Sequence, residues 1–316
     1  MNELTLRANA ALTTDADLYE ITARSLLCLI CLLFLCATGN VGAATTKTDS
    51  VASLRATYVS LQGALRQNQF KQPLVLDSAE TPDGLQGDIY AIVDFRFGEV
   101  SAGLSDPEHW CDVLLLHINT KYCHAARGPS GTTLKVNIGR KTPEELADTS
   151  PIEFIYSVAV ATPDYLEVIL NAKDGPLGTS DYRIHLEAMV LPNARTFLHF
   201  SYSYTMNFPA RLAMQSYLGT VGSAKVGFTV SGTQADGQAA YIGGVRGLVE
   251  RNTMRYYLAI GSYLGAVGAS PATRLESRLQ NWFTEVERYP RQLHEMDREA
   301  YLEMKRAEHL RQQTVR

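Results

Sequence analysis

Few residues of this 316-residue chain have the types and spacing of a catalytic or metal-binding site. His185 and His199 fall in neighbouring predicted strands, which could bring two imidazoles together. Each histidine alternates with the apolar residues of its strand, so the pattern places both rings on the face turned away from the core. We therefore expect a surface or partner-contact role for this pair and not general acid–base catalysis.

The other polar clusters match no catalytic or metal-binding signature. Asp112 and His117 are five positions apart on a short predicted helix and need not face each other. His109, His117 and His124 are near one another, but no CxxC or HExxH spacing accompanies them. Nucleophile-elbow and phosphate-loop motifs are also missing. We expect no catalytic residue, no metal site and no cofactor, and the sequence favours a binding protein over an enzyme.

An uncharged apolar run over residues 26–37 predicts export. Arg24 precedes the run and the small residues of 41–44 follow it, which is typical of a cleaved signal peptide. Four acidic residues and two arginines precede the run, whereas a signal peptide begins with net positive charge. An uncleaved membrane anchor is the alternative, although the run is shorter than the roughly 20 residues that span a bilayer; a buried core helix is a third. We expect a secreted, periplasmic protein of the bacterial envelope, or one attached to the membrane by its leader.

Cysteine usage agrees with export. Cys28, Cys31 and Cys36 lie in the leader, and the rest of the chain keeps only Cys111 and Cys123. Two cysteines twelve positions apart in an oxidising compartment predict a disulfide, with a pair of buried free thiols as the alternative. The net charge of −4 provides no basic field, so we expect no nucleic-acid partner.

Hydrophobic alternation predicts a series of strands. An opening half-buried strand runs over 88–97, and two short helices follow over 98–104 and 106–117, the second capped by Asp106. Turn residues then separate strands at 119–127, 131–138, 153–161, 165–172, 180–190 and 195–205. Such short links between consecutive strands predict an antiparallel meander.

Helical patterns dominate the rest of the chain. We expect a helix over 209–221, a short strand near 225–230 and a long helix over 239–265. The segment 272–316 is charged and helical, with a break at Tyr289-Pro290. It either lies on its own domain or serves as an arm that binds a protein partner.

Three segments carry a resemblance to a known fold. They are GDIYAIVDFRFGEVSAGLSDPEHWCDVL, DYRIHLEAMVLPNARTFLHFSYSY and GGVRGLVERNTMRYYLAIGSYL. In this order they resemble the opening strand with its helix pair, the meander and the gripping helix of the helix-grip fold, in the START and Bet v 1-like superfamily. The resemblance implies an α+β fold in which a curved antiparallel sheet grips a long C-terminal helix, followed here by a charged helical extension. The resemblance covers about residues 78–265. Together with the apolar run and the charged C-terminal segment, it predicts a leader at 1–44, a linker with a short helix at 45–77, a helix-grip domain at 78–266 and a charged helical tail at 267–316.

The same resemblance implies an apolar cavity between the sheet and the long helix. Candidate lining residues are the stripe on one face of the last strand and two positions on the helix: Leu198, Phe200, Tyr202, Tyr204, Asn252 and Tyr256. The four residues of the strand stripe could instead belong only to the hydrophobic core. An inward Asn252 could instead hydrogen-bond the sheet and tie the helix to it. Arg251 and Arg255 are placed to pair with carboxylates outside the helix.

We therefore expect an exported protein that binds or carries a hydrophobic, lipid-like small molecule, gated by residues 97–117 or 209–221. One alternative is an envelope assembly protein that acts through residues 272–316. The other is a cyclase- or hydrolase-type enzyme that uses the same cavity.

Overall fold

The structure is a computed structural model that describes residues 47–220 and 222–314. The leader predicted at residues 1–44 lies outside these ranges. Lys47–Arg316 form one compact unit. Within the described ranges, no helix is long and apolar enough to cross a membrane.

An antiparallel sheet of eight strands forms the body of this unit. The strands are β1 Leu74–Glu80, β2 Gly84–Val93, β3 Thr120–Gly128, β4 Gly131–Ile138, β5 Ser150–Ala161, β6 Tyr165–Asp174, β7 Thr179–Leu191 and β8 Arg195–Met206. The spatial order is β1-β2-β8-β7-β6-β5-β4-β3, so β3 to β8 form a continuous meander whose last strand returns to pair with β2. Irregularities in the pairing of β3, β5 and β7 bend the sheet, since a bulge increases local twist.

Helices cover both faces of the sheet. Helix α5 (Gly244–Leu264) packs on the inner face against β1, β2 and β8, while α1 (Lys47–Arg66) packs on the outer face against β1, β2 and β7. A two-stranded pair, β9 Val230–Thr233 with β10 Ala239–Tyr241, precedes α5. The helices are α1 Lys47–Arg66, α2 Phe97–Leu104, α3 Pro107–Leu116, α4 Phe208–Gly219, α5 Gly244–Leu264, α6 Pro271–Val286, α7 Pro290–Leu293 and α8 Arg298–Thr314.

Helix α5 lies close against the sheet because the residues at the contact are small. A Cβ at Gly87 of β2 would collide with the Thr253 side chain, so glycine permits the approach. Val249, Thr253 and Ala259 of α5 are fully buried. The helix is therefore enclosed on most sides, as a gripped helix must be.

The C-terminal helices belong to the same core. Trp282 of α6 and Tyr301 of α8 are buried and stack with ring centroids 4.8 Å apart. The indole N–H of Trp282 donates to the carbonyl of Arg255, and the Tyr301 hydroxyl donates to the carbonyl of Leu116. The charged tail is thus docked on its own domain along one apolar side.

Three segments differ from the sequence-based expectations. Residues 74–80, which the predicted organisation divides between the linker and the helix-grip domain, pair as strand β1 along the side of β2 that β8 does not occupy. The strand expected near 225–230 is replaced by the β9–β10 pair, because the backbone N–H groups of Phe228 and Thr229 donate to the Glu250 carboxylate. The long helix begins at Gly244 and not at 239, since β10 occupies residues 239–241.

Candidate functional site

A cavity of about 800 Å³ lies between the inner face of the sheet, α4 and α5. That volume is in the range of small-molecule binding sites. The sheet contributes mainly apolar and aromatic side chains: Val136, Ile138, Ile152, Phe154, Tyr182, Tyr202, Tyr204 and Met206. The inner side of α4 contributes Ala210, Ala213, Met214, Tyr217 and Leu218, which recur at helical spacing.

The structure brings four of the six sequence-predicted lining residues together. Tyr202, Tyr204, Asn252 and Tyr256 all line the cavity. Leu198 and Phe200 share the inner face of β8 but belong to the closed hydrophobic core and do not line the cavity. They lie nearer the start of β8, where α2 packs against β7 and β8 and fills the space.

Tyrosine rings form much of the aromatic wall. The rings of Tyr182 and Tyr204 stack with their centroids 5.2 Å apart, and the ring centroids of Tyr202 and Tyr256 are also 5.2 Å apart. Burial raises the pKa of Tyr202, Tyr204 and Tyr256 above the usual range, so the three hydroxyls stay neutral. This wall can bury a greasy body while its hydroxyls offer hydrogen bonds to a polar group.

A cluster of charged residues lines the cavity near Glu295, in the loop between α7 and α8. Its carboxylate lies 2.7 Å from Nη2 of Arg255, 2.6 Å from Nζ of Lys141 and 3.0 Å from Nζ of Lys225. Burial alone would raise the pKa of Glu295, but Arg255 and the two lysines outweigh burial and lower it to about 2. Arg255 therefore does pair with a carboxylate outside its helix.

Two more polar residues complete this cluster. Arg251 is buried, and its Nη1 donates to the carbonyl of Val226 at 3.2 Å. Burial, followed by repulsion from Arg255, lowers the pKa of Arg251 to about 10, so the guanidinium remains charged at neutral pH. Burial and nearby cations, Arg255 foremost, also hold the pKa of His117 well below its usual value, so its ring is neutral.

Asn252 takes part in this cluster more than in a tie to the sheet. Its side-chain oxygen accepts a 3.4 Å hydrogen bond from Arg255, one turn along α5. Sequence reasoning found Asn252, Arg251 and Arg255 from the helix pattern, but missed Lys141, Lys225 and Glu295. Those three lie in loops, where a charged residue carries no periodic signal.

The outer face of the sheet holds a separate cluster around the two histidines. His199 bonds through Nδ1 to Glu187 at 2.8 Å and through Nε2 to Asp88 at 2.9 Å. His185 bonds to Glu167 at 3.0 Å. Among the described residues, His185, Glu187 and His199 are the group whose ligand atoms are close enough to hold a metal ion. Both nitrogens of His199 are already engaged by carboxylates, which favours a structural ion-pair network.

Cys111 of α3 and Cys123 of β3 form a disulfide, with their Cα atoms 5.1 Å apart. Both residues are buried in the core. The bond ties the second helix of the pair to the edge of the sheet next to the cavity residues Leu114 and His117.

No protein-family model matches the chain, and no curated protein matches it. A conserved protein from Geobacillus kaustophilus has 18% identity over 44% of this chain and 86% of its own length, with a TM-score of 0.30. The solved structure of a START superfamily protein from Mycobacterium smegmatis has 13% identity, covers 44% of this chain and 92% of its own, and has a TM-score of 0.30. The Zhui aromatase/cyclase from Streptomyces sp. R1128 has 9% identity, covers 64% of this chain and 96% of its own, and has a TM-score of 0.30.

The strand order decides the fold. Strand β2, the helix pair α2–α3, the meander β3 to β8 and the enclosed helix α5 follow one another, and β8 returns to pair with β2. The chain has the helix-grip fold of START and Bet v 1-like proteins. Around this helix-grip core, α1 and β1 precede the first strand, and α6 to α8 follow the gripped helix.

Proposed function

We propose that this protein binds or carries a hydrophobic, lipid-like small molecule in the cavity beneath α5. The observation that carries the proposal is a cavity of about 800 Å³ whose sheet wall is almost entirely apolar and aromatic. A ligand's apolar body would leave water for this wall, at roughly 25 cal/mol for each Å² buried. The neutral tyrosine hydroxyls and the cluster around Glu295 would orient its polar group.

Helix α4 is the gate in this proposal. Of its residues only Leu218 is buried, while Phe208 and Leu212 are largely exposed. Helices α2 and α3, the other gate expected from the sequence, are anchored by buried Val100, Trp110 and the disulfide at Cys111. A segment with few buried apolar contacts opens at lower cost than one built into the core.

The proposal includes export to the periplasm, with membrane attachment as the variant in which the leader stays uncleaved. The apolar run at residues 26–37 supports export, as does the Cys111–Cys123 disulfide, since disulfides persist in oxidising compartments. The docked tail has a structural role in this proposal. No specific observation favours the two alternative functions, an envelope assembly protein that acts through residues 272–316 or an enzyme that uses the same cavity.

Two tryptophan substitutions on β5 test the cavity. Ile152 lines it, whereas Ile155 of the same strand is 62% exposed on the outer face. We expect Ile152→Trp to fill the site and weaken binding of the neutral dye Nile red at least about tenfold, with Ile155→Trp unchanged. Circular dichroism would verify folding of both variants. Equal dye binding by wild type and Ile152→Trp would contradict the proposed site.

A further inference from the structure

The side chains that line the cavity carry more positive than negative charge. Among the described lining residues, four cations accompany a single carboxylate, that of Glu295; the cations are Lys141, Lys225, Arg251 and Arg255. Three of them share that carboxylate. The wall therefore holds a positive excess, and in a partly enclosed site such an excess is screened less than at the surface.

Arg251 contributes most to this excess. Its side chain is buried, forms no ion pair with a carboxylate among the described residues, and donates to the Val226 carbonyl. Glu295 and Glu250 attract it only from beyond ion-pair distance, and burying a guanidinium without a directly paired carboxylate is unfavourable for folding. Its position on the gripped helix, one turn from Arg255, directs this charge to the cavity wall.

His117 provides a donor at the same place. The Asn119 backbone N–H donates to Nδ1 of His117 at 3.2 Å, so the neutral ring carries its proton on Nε2. Within the described part of the chain, this buried Nε2 has no hydrogen-bond partner, and neither has the buried Nε of Arg255. Both groups are donors, and the ligand group that satisfies several donors at once is an anion with two or three oxygens.

The cluster extends from the interior to the surface. The side chains of Arg255 and Glu295 are 2% and 6% exposed, whereas those of Lys141 and Lys225 are 38% and 37% exposed. An anionic group can therefore pass the two lysines and remain beside the arginines, while the chain attached to it contacts the apolar sheet.

We propose that the ligand of this cavity is an anionic amphiphile whose carboxylate or phosphate group binds Arg251, Arg255 and His117, with its apolar body against the sheet. The inference rests on the proposed binding function and specifies its ligand class. Carboxylate and phosphate share the required chemistry, and matched probes distinguish them.

The test compares three probes that share a sixteen-carbon chain: palmitate, hexadecyl phosphate and hexadecanol. Each displaces Nile red from the delipidated protein. We expect at least one of the two anions to bind about tenfold or more tightly than hexadecanol, because charge-assisted hydrogen bonds exceed neutral ones. The tighter of the two anions identifies the headgroup.

Arg251→Gln should remove most of that preference, because the bound anion loses far more affinity than hexadecanol does. Lys225→Gln, at a partly exposed site, should reduce the preference for anions by a smaller factor. It provides the test if Arg251→Gln fails to fold. Lys135→Gln removes an exposed cation on β4 that does not line the cavity and should change nothing.

The outcomes separate the two proposals. Equal displacement by all three probes, or an anion preference that survives both Arg251→Gln and Lys225→Gln, overturns the anionic ligand but leaves the apolar cavity standing. A protein that binds neither the dye nor any probe overturns both proposals.

Discussion

At the residue scale, His199 has an unusual environment for a histidine on the outer face of a sheet. Burial disfavours its charged form, but hydrogen bonds to Asp88 and Glu187 outweigh burial and raise the pKa of His199 to about 9. The same contacts lower the pKa of both carboxyls despite their own burial. The ring is thus an imidazolium at neutral pH, held between two carboxylates.

This pKa predicts a pH-dependent stability. A group whose pKa is higher in the folded state stabilises the protein fully below its unfolded value near 6.5, and that contribution disappears as pH rises through about 9. The full contribution is about 3 kcal/mol, since one pKa unit corresponds to 1.36 kcal/mol. We expect His199→Gln to lower the free energy of unfolding by about this amount near pH 6.5 and by much less at pH 9.5.

Urea denaturation at the two pH values checks the prediction. His124→Gln, on edge strand β3, controls for the loss of a histidine from the sheet. A stability loss in His199→Gln that is equal at both pH values would show that the imidazolium does not carry the effect.

Residue patterns identified part of the cavity lining. Alternation along β8 and helical spacing along α5 identified Tyr202, Tyr204, Asn252 and Tyr256, because inward direction follows from local periodicity. The same alternation selected Leu198 and Phe200, since it distinguishes the faces of a strand but not the closed and open parts of one face. Glu295 escaped notice because it meets Arg255 across forty positions of sequence, a pairing that no local pattern records.

At the element scale, α8 is attached by buried charge as well as by apolar packing. Glu308 lies 2.9 Å from Nζ of Lys121 on β3 and 2.7 Å from Nζ of Lys305, and all three side chains are almost completely buried. Lys305 also donates to the carbonyls of His117 and Thr120. This network ties α8 to the turn that connects α3 to β3, beside the cavity.

Glu308→Gln is therefore expected to destabilise the whole domain. It leaves two buried ammonium groups without their shared carboxylate, and breaking such a buried network costs about 3–5 kcal/mol. Urea denaturation at pH 7 measures the loss, and Glu303→Gln, at an exposed position on the same helix, is the matched control. Similar unfolding of the two variants would mean that the buried charge network around Glu308 contributes little to the stability of the domain.

Some helices and strands could be predicted from their sequences better than others. The meander and α5 have long periodic patterns and were predicted with the correct type and order. Strand β1 was missed because Asp77, Ser78 and Glu80 interrupt its alternation, and only pairing with β2 makes it a strand. In α8, Lys305 and Glu308 look like solvated charges in sequence, since burial of an ion pair depends on a tertiary partner, here Lys121.

At the scale of the whole molecule, the gripped helix explains why a cavity exists. Helix α5 meets the sheet closely where Gly87 admits Thr253, and α2 closes the core around Leu198 and Phe200. Further along the sheet, the small side chains Ala210 and Ala213 on α4 do not fill the space opposite Ile152. Folding therefore leaves an apolar chamber with a charged border, covered by a helix that has little buried surface.

Native mass spectrometry of the protein purified from its own host tests the central claim most directly. We predict a reproducible mass increment at near one-to-one stoichiometry, which organic extraction resolves into an amphiphile, and which Ile152→Trp loses while Ile155→Trp retains it. A compact wild-type protein that is reproducibly empty, with no extractable amphiphile, would contradict the claim that this cavity binds a lipid-like molecule.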